Sequence, residues 1–383
     1  MSQPIEIAIV SSRADWDAFH ALPAEIHRDH QAWVAMPDFV LRRQLDVRAN
    51  PFFHRAALHP LIARIGGRVV GRICGIHDPR NPLHASGAGA HFGYFECIQG
   101  PDDERIARAL FDAVAQWAVK IGATRIEGPF NPSINGESGL LVEGFDDPPM
   151  VMMPWHPPYY ARLLEKSGLS PYKNLFAYRY HQGISFPEPV ARQARELVTS
   201  GGVRLRTANL WRLSSELRIV AELANDSMKD HWGYVPMDEA ELAEMAQGLR
   251  LALDPELLLF AEKDGRTVGF LFALPDINQV VKKAGRGPLA LLKLLWMLKG
   301  PGRRRNVDRC RFITLGVLSE YRHLAIGPLL YMEMLATFNR RGFREGEASW
   351  VLEDNRTVNR VHRRLGAKQW KTWRIYAKEL ARA

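Results

Sequence analysis

Small residues follow a basic pair where an apolar strand, residues 312–318, is expected to lead into a helix. Small residues let a ligand approach the backbone closely, and the free N–H groups at a helix start attract anions. Arg322 can place two donors on phosphate oxygens, and His323 adds a basic group beside it. The loop predicts a pyrophosphate-binding site, and the candidate cofactor-binding residues of the stretch are Leu315, Val317, Leu318, Arg322, His323, Leu324, Ala325, Ile326 and Gly327.

A second group of reactive side chains lies in NDSMKDHWGYVP, residues 225–236. Asp226 and His231 are candidates for the base that takes a proton from an attacking amine. Trp232 and Tyr234 are expected to line the acceptor side of the same loop. Helix capping explains the aspartates equally well, so both interpretations stay open.

The first half of the chain has a polar segment rich in Gly and Pro, residues 131–149. Its composition favours a binding loop over a strand. Asn131 and Asn135 are predicted to bind substrate, and Glu137 is a candidate catalytic residue. With Asn135, Glu137 could hold the ammonium and hydroxyl groups of an amino alcohol between two domains. Irregular surface packing is the alternative.

The elements that position these residues occur twice, which predicts an internal duplication. The offset between matching glycines is 198 residues, then 220, then 198 again, at Gly67 and Gly265, Gly122 and Gly342, and Gly168 and Gly366. An offset that changes and then returns means that each half carries its own insertion. In the second half the insertion falls near residues 280–305.

Each half follows the order strand, strand, strand, helix, strand, helix, strand. This order predicts an α/β (α+β) protein of two tandem domains, each a mixed, mostly antiparallel sheet flanked by helices. The expected boundaries are 1–185 for a degenerate first domain and 202–383 for the domain that holds the thioester site. A proline-marked turn and a Gly-Gly break separate them.

The insertion at 280–305 is apolar in its middle and basic at both ends. PLALLKLLWML, residues 288–298, is too short to span a bilayer. Its pattern favours a helix lying on an anionic membrane surface, with Trp296 at the boundary. A buried helix with solvated ends is the alternative.

Composition sets the broad class. The chain has 383 residues, 46% of them hydrophobic, and a net charge of +9, which favours anionic partners. It lacks a signal-peptide pattern and a membrane-length apolar run, so a cytoplasmic protein is predicted, with peripheral binding to the inner membrane face as an option. Cys74, Cys97 and Cys310 lack metal-site spacing, so no metal is expected.

These motifs resemble the GNAT superfamily, the GCN5-related N-acyltransferases. Arg322, Ala325 and Gly327 match its pyrophosphate loop, and Asn355 and Asn359 match a later element that the resemblance places near the cofactor. His362 stands where the family usually has a tyrosine as general acid, so His362 is the candidate acid here.

The resemblance implies acyl-CoA as co-substrate, direct attack of an amine on the thioester, and a splayed strand near Leu315 that orients the acyl carbonyl. The first half has the acidic sequence QGPDD, residues 99–103, at the loop position. A second CoA is therefore not expected there.

The layout from residue 131 to the PYY sequence at 158–160 also resembles the bacterial ceramide synthase family. That resemblance implies a fatty acyl-CoA donor and a lipid amine acceptor, and an acyl carrier protein also suits the basic surface. Two alternatives are a GNAT acetyl- or aminoacyltransferase, including a tRNA-dependent one, and an inactive GNAT scaffold that binds lipid. Nothing resembles an RNA-reading module, so nucleic acid is not an expected partner.

Overall fold

The computed structural model describes residues 3–81, 89–250, 252–285, 287, 289–299 and 306–381. The chain forms two compact units. The first contains the residues up to Leu175, Gly285–Gly287 and the residues from Lys371 onward. The second contains Phe176–Ala284 and Pro288–Trp370.

The first unit is a mixed sheet with helices. Its sheet order is β1-β2-β3-β4-β5-β15, with β8 also on β15, and only β4 and β5 are parallel among the registered pairs of this described sheet. The elements are β1 Glu6–Ile9, α1 Arg13–Ile26, α2 Asp38–Leu45, β2 Ala57–Ile65, β3 Arg68–His77, β4 Gly89–Cys97, α3 Asp103–Lys120, β5 Arg125–Gly128, β6 Phe130–Asn131, β7 Glu137–Ser138, β8 Leu140–Glu143, α4 Tyr159–Lys166, the start of β9 Ser170–His181, and most of β15 Lys368–Glu379.

The second unit repeats this design. Its sheet order is β9-β14-β13-β12-β11-β10, with β13 and β14 parallel. The elements are the end of β9, α5 Glu188–Thr199, β10 Val203–Thr207, α6 Leu213–Met228, α7 Glu239–Leu249, β11 Leu258–Lys263, β12 Arg266–Pro275, α8 Asn278–Ala284, α9 Ala290–Lys299, β13 Arg309–Val317, α10 Ile326–Arg341, β14 Glu345–Leu352 and α11 Arg356–Arg364. Short 3-10 turns lie at Pro51–His54, Leu210–Arg212, Pro255–Leu257 and Ser319–Tyr321.

The duplication is visible in the register of the two sheets. In both units the second strand of the first long hairpin has one extra residue, Val70 in β3 and Val268 in β12. The carbonyls of these two residues accept equivalent backbone bonds, from Ile98 at 3.0 Å and from Leu318 at 2.9 Å. The acceptors of these two bonds are 198 residues apart and the donors are 220 residues apart, so both offsets found in the sequence recur in the backbone hydrogen bonds.

A glycine in each hairpin lets the main helix pack closely on the sheet. A Cβ on Gly71 would lie 2.8 Å from Ile106 of α3, and a Cβ on Gly269 would lie 3.1 Å from Ile326 of α10. Those helix residues are again 220 positions apart. Ile106 and Ile326 are therefore equivalent, which fixes the comparison of the two helix starts.

The boundaries of the units fall inside two strands. Phe176 onward in β9 belongs to the second unit, whereas β15 from Lys371 onward belongs to the first. The predicted boundaries, 1–185 and 202–383, place β9 in the first half of the chain and β15 in the second. The central helices and strands of each half do fall within one unit.

Candidate active site

Two parallel strands of the second unit separate part-way along their length. β13 and β14 pair from Arg309 and Glu345 to Phe312 and Ala348, and their described register ends there. β13 continues beside β12 to Val317. Residues 313–317 therefore have a strand on one side only, and we call this stretch the open edge.

A bulge accompanies the separation. Phe312 and Thr314 of β13 pair with consecutive residues of β12, so Ile313 is an extra residue. Beyond it, Leu315 is 38% exposed although it lies within a strand. Backbone polar groups that leave a sheet ladder need another partner, and a ligand carbonyl is one that can supply it. This is the splayed strand that the GNAT resemblance implies.

The start of α10 adjoins the open edge. Ala325 occupies the N-cap position and provides no side-chain hydrogen bond to the helix. The first N–H groups of a helix lack intrahelical acceptors and carry partial positive charge, so an anion is favoured there. Outside its own helix and chain neighbours, Leu315 Cδ2 is the only described heavy atom within 4 Å of the Cβ position of Gly327, at 3.6 Å. A helix start without a side-chain cap and an open strand edge therefore meet at these two residues.

Arg322 and Asp226 connect the loop before α10 to the end of α6. Arg322 Nη2 donates to the carbonyl of Ser227 at 2.8 Å, and Asp226 Oδ2 accepts from the Ser319 N–H at 2.7 Å. The hydrogen bonds from Ser319 lower the pKa of Asp226. A carboxylate held in this way is a weak proton acceptor, and its visible role is to anchor the loop.

The predicted acceptor loop lies directly after these anchors. Tyr234 Oη donates to Asn225 Oδ1 at 2.6 Å, and burial raises the pKa of Tyr234. Trp232 is half-buried, whereas His231 is exposed. Of the two predicted bases, His231 is exposed and Asp226 is partly exposed but already accepts a hydrogen bond from Ser319.

His362 lies in a buried aromatic cluster of the second unit. Its side chain is 3% exposed; it stacks on Tyr178 at a ring distance of 4.8 Å and hydrogen-bonds to Tyr180 through Nδ1. Burial lowers the pKa of His362 to about 4, so the imidazole is neutral near pH 7. A neutral ring is a poor proton donor, and the general acid role of His362 therefore stays a prediction.

The same cluster extends to the point where β13 leaves β14. Phe312 is the last residue of β13 that pairs with β14. Its ring centroid lies 5.6 Å from that of Tyr180 and 5.7 Å from that of Tyr331. Burial raises the pKa of both tyrosines, which keeps their hydroxyls protonated. The sequence analysis missed Tyr180 and Tyr331. The alternation of aromatic residues in β9 is a signal for Tyr180, whereas Tyr331 lies in α10.

Asn355 and Asn359 shape the turn that follows β14. Asn355 caps α11 by accepting from the Val358 N–H at 3.2 Å. Asn359 is 3% exposed; its amide group donates to the Leu352 carbonyl at 2.9 Å, and its oxygen accepts from Tyr178 Oη at 2.7 Å. Both asparagines thus have internal partners, and cofactor contact by either one is untested.

Three buried polar side chains, which we call the polar chain, are hydrogen-bonded to one another where the open edge begins. Arg311 Nε donates to Ser349 Oγ at 2.8 Å, and its Nη2 donates to the Ser349 carbonyl at 3.0 Å. Ser349 Oγ donates in turn to Glu347 Oε1 at 2.5 Å. These side chains join β13 to β14 where the backbone ladder ends. The sequence analysis missed them because nothing in the residue types marks a strand separation.

In the first unit the equivalent separation is filled by the chain itself. β4 and β5 pair as far as His91 and Glu127, after which the Asn131 Oδ1 accepts from the Tyr94 N–H at 2.7 Å. The Asn131 amide group also donates to Glu137 Oε2 at 3.2 Å. The predicted substrate residue Asn131 and the predicted catalytic residue Glu137 are therefore brought together, but as partners of each other.

The helix start of the first unit also differs. α3 begins at Asp103, three residues before the position equivalent to the first residue of α10. Arg162 Nη2 donates to Asp103 at 2.8 Å and also contacts Glu104, so acidic side chains and their partner fill this place. Asn135, also predicted to bind substrate, lies in the β6–β7 turn, where its N–H donates to Ser133 Oγ at 3.2 Å.

Known proteins resemble the chain along almost its whole length. The bacterial ceramide synthase of Caulobacter vibrioides (strain NA1000 / CB15N) is 34% identical over 383 residues, which cover 98% of this chain and 98% of that protein. This chain belongs to the bacterial ceramide synthase family. Protein YghO of Escherichia coli (strain K12) is 34% identical over 375 residues, covering 96% of this chain and 94% of YghO. No family model matches the sequence.

Solved structures place this ceramide synthase family member in the tandem GNAT fold. A tandem GNAT protein from the clavulanic acid biosynthesis pathway has a TM-score of 0.58 at 18% identity, over 99% of this chain and 100% of that one. The GCN5-related N-acetyltransferase from Sphaerobacter thermophilus has a TM-score of 0.52 at 16% identity, over 99% and 97%. The predicted tandem GNAT architecture is confirmed.

Family and fold together make the chain an N-acyltransferase of the GNAT type. Its second unit has the open edge and the uncapped helix start, whereas its first unit has filled the corresponding places with its own residues. The loop pattern of the sequence and the unfilled helix start therefore occur in the same half of the chain.

Proposed function

We propose that this ceramide synthase family member transfers a long-chain acyl group from acyl-CoA to the amine of a sphingoid-base-like lipid. The observation that carries the proposal is the proximity of the start of α10 to the open edge, where the Cβ position of Gly327 lies 3.6 Å from Leu315 Cδ2. The pyrophosphate of CoA suits the helix start, and the thioester carbonyl suits the adjoining strand edge.

The reaction is a direct acyl transfer. The neutral amine nitrogen attacks the thioester carbonyl carbon, the C–N bond forms, the C–S bond breaks, and CoA leaves as a thiolate. The ammonium proton goes to a base or a water chain, and a proton donor converts the thiolate to the thiol. Those backbone N–H groups of residues 313–317 that point away from β12 are well suited to stabilise the oxyanion, because the pairing of β13 with β12 fixes the strand that carries them.

His231 is the base that we favour over Asp226. His231 is exposed in the acceptor loop, whereas Asp226 is ionised and bonded to Ser319. A general base must reach the attacking amine, and an exposed imidazole can do so, whereas a carboxylate of lowered pKa that already accepts hydrogen bonds is a poor proton acceptor.

The lipid acceptor rests on the family. The Caulobacter relative is named a ceramide synthase, and a ceramide is the amide of a sphingoid base with a fatty acid. We extend that acceptor class and the long-chain donor to this chain as proposals. An acyl carrier protein is the alternative donor, since its phosphopantetheine thioester would reach the same open edge and its acidic surface suits a chain of net charge +9.

The test is an amide-forming assay read by mass spectrometry. Purified protein is given a sphingoid base with palmitoyl-CoA, with acetyl-CoA or with palmitoyl carrier protein, and both the amide and the free thiol are measured. We expect amide with palmitoyl-CoA and a stoichiometric thiol. If amide formed with acetyl-CoA and with neither palmitoyl donor, the protein would be an acetyltransferase and not a long-chain acyltransferase. If no donor gave amide, the proposal would be refuted.

A further inference from the structure

The helix α9 exposes an apolar stripe that the fold does not cover. Leu289, just before the helix, is 58% exposed, Leu292 is 63% exposed and Trp296 is 65% exposed. Their spacing of three and four residues puts them on one side of the helix. Ala290 and Leu294, four residues apart, are buried.

α9 is therefore apolar on two sides. α9 packs on α8, and Val280 and Val281 of α8 are buried like Ala290 and Leu294 of α9. This packing does not account for the exposed side. A cluster of large exposed apolar side chains on a water-soluble surface marks a place of interaction.

The charge around the stripe selects the partner. Residues 282–305 contain eight Lys or Arg residues and no Asp or Glu. Lys283 and Lys293 are exposed, whereas Arg286 and the three arginines at 303–305 lie outside the described residues. Two copies of this chain joined through α9 would bring like charges together, which opposes a dimer. An anionic lipid leaflet, by contrast, offers both an apolar layer and negative headgroups.

The dimensions agree with surface binding. α9 is 10 residues long, or about 15 Å, which is half of a bilayer core. No helix in the described ranges is long and apolar enough to cross a membrane. A tryptophan beside lysines at the edge of an apolar stripe is the arrangement found in helices that lie in the interface.

We propose that α9 docks this protein on an anionic membrane leaflet, with Leu289, Leu292 and Trp296 inserted among the acyl chains. The inference deepens the proposed function and rests on it for its purpose, because a lipid amine and a fatty acyl donor both concentrate at membranes. The docking itself needs no catalysis, so it is tested without turnover.

The experiment is co-sedimentation of the full chain with vesicles of phosphatidylcholine alone or mixed with phosphatidylglycerol. We expect binding to the mixed vesicles that weakens as salt is raised. The double variant Leu292→Ser/Trp296→Ser should bind about tenfold more weakly or worse, since two large apolar anchors are lost.

A matched control comes from the same unit. Val198 is 48% exposed on α5 and Trp211 is 96% exposed in the turn Leu210–Arg212. Val198→Ser/Trp211→Ser removes one aliphatic and one indole side chain outside α9 and should leave vesicle binding unchanged. Equal loss in both double variants, or undiminished binding of the α9 variant, would overturn the proposal.

Two further measurements distinguish membrane docking from dimerisation through α9 and from the proposed acyl transfer. Light scattering on the free protein reports its mass, and a dimer abolished by the α9 substitutions with vesicle binding intact would assign the stripe to a second copy. Turnover of short-chain, water-soluble substrates should be the same in the α9 variant and wild type. A protein that docks through α9 but forms no amide would refute the proposed reaction and leave the docking in place.

Discussion

Asn131 Oδ1 accepts a 2.7 Å hydrogen bond from the Tyr94 N–H at the point where β4 has separated from β5. The Phe130 carbonyl lies so close to Gly93 that a Cβ there would be 1.9 Å away. The chain thus closes in the first unit the kind of opening that the second unit leaves free. We expect Asn131→Ala to lower the free energy of unfolding by about 1–3 kcal/mol, because a shielded amide loses its partner.

The measurement for Asn131→Ala is urea unfolding together with steady-state kinetics. Asn135→Ala, in the same turn, is the comparison. If Asn131→Ala retained full stability but raised the KM for the amine, Asn131 would contact substrate, as the sequence analysis predicts. A loss of stability with unchanged KM would assign it to closing the first unit.

Gly327→Trp should abolish CoA binding and preserve the fold. A Cβ at Gly327 has only Leu315 nearby, so small side chains fit, whereas an indole would occupy the space between the helix start and the open edge. Isothermal titration with CoA measures the effect, and Gly327→Ala is the control that should bind within about threefold of wild type, since one methyl group costs little where there is room. Wild-type affinity in Gly327→Trp would place the ligand elsewhere.

The sequence predicted the duplicated frame and the helix start because both depend on local signals. Glycines at turns and small residues at a helix start act through the backbone of their own segment. The offsets of 198 and 220 residues reappear in bulges and backbone bonds, as at Val70 and Val268. Such features can be recognised in a single sequence.

What the sequence could not predict depends on distant partners. Tyr180 and His362 are 182 residues apart yet hydrogen-bonded, and no local pattern joins them. The order of elements in the sequence likewise does not show that the boundaries of the two units fall inside β9 and β15. The interpretation of Asn131 and Glu137 as substrate ligands also stayed open, because polar side chains in a loop look the same whether they bind a ligand or each other.

Ser349→Ala should weaken the junction between β13 and β14. Arg311 and Glu347 both hydrogen-bond to Ser349, and all three are buried, so removal of the hydroxyl leaves charged groups with fewer partners. We expect a loss of about 1–3 kcal/mol in the free energy of unfolding and a raised KM for the acyl donor. Urea unfolding and acyl-CoA titration check this.

Ser349→Thr keeps the hydroxyl and is the matched control. It should recover donor binding better than Ser349→Ala. If both variants bound the donor like wild type, the polar chain would not position the open edge.

His362 makes the protein less stable as the pH falls. The pKa of His362 in the folded protein, about 4, lies below the ordinary histidine value of about 6.5, so the unfolded chain takes up the proton first. The free energy of unfolding should therefore fall between pH 7 and pH 5, by on the order of 2 kcal/mol from this residue. His362→Gln cannot titrate and should show a smaller fall, although His20 and His156, whose pKa values burial also lowers, remain to contribute.

The pH dependence of kcat tests whether His362 is the general acid. If His362 is neutral, kcat should not fall between pH 6 and pH 8 as protons are removed. A decline with rising pH that disappears in His362→Gln would instead show an imidazolium acting as the acid, and would mean that substrate binding raises the pKa of His362 far above its value in the free protein.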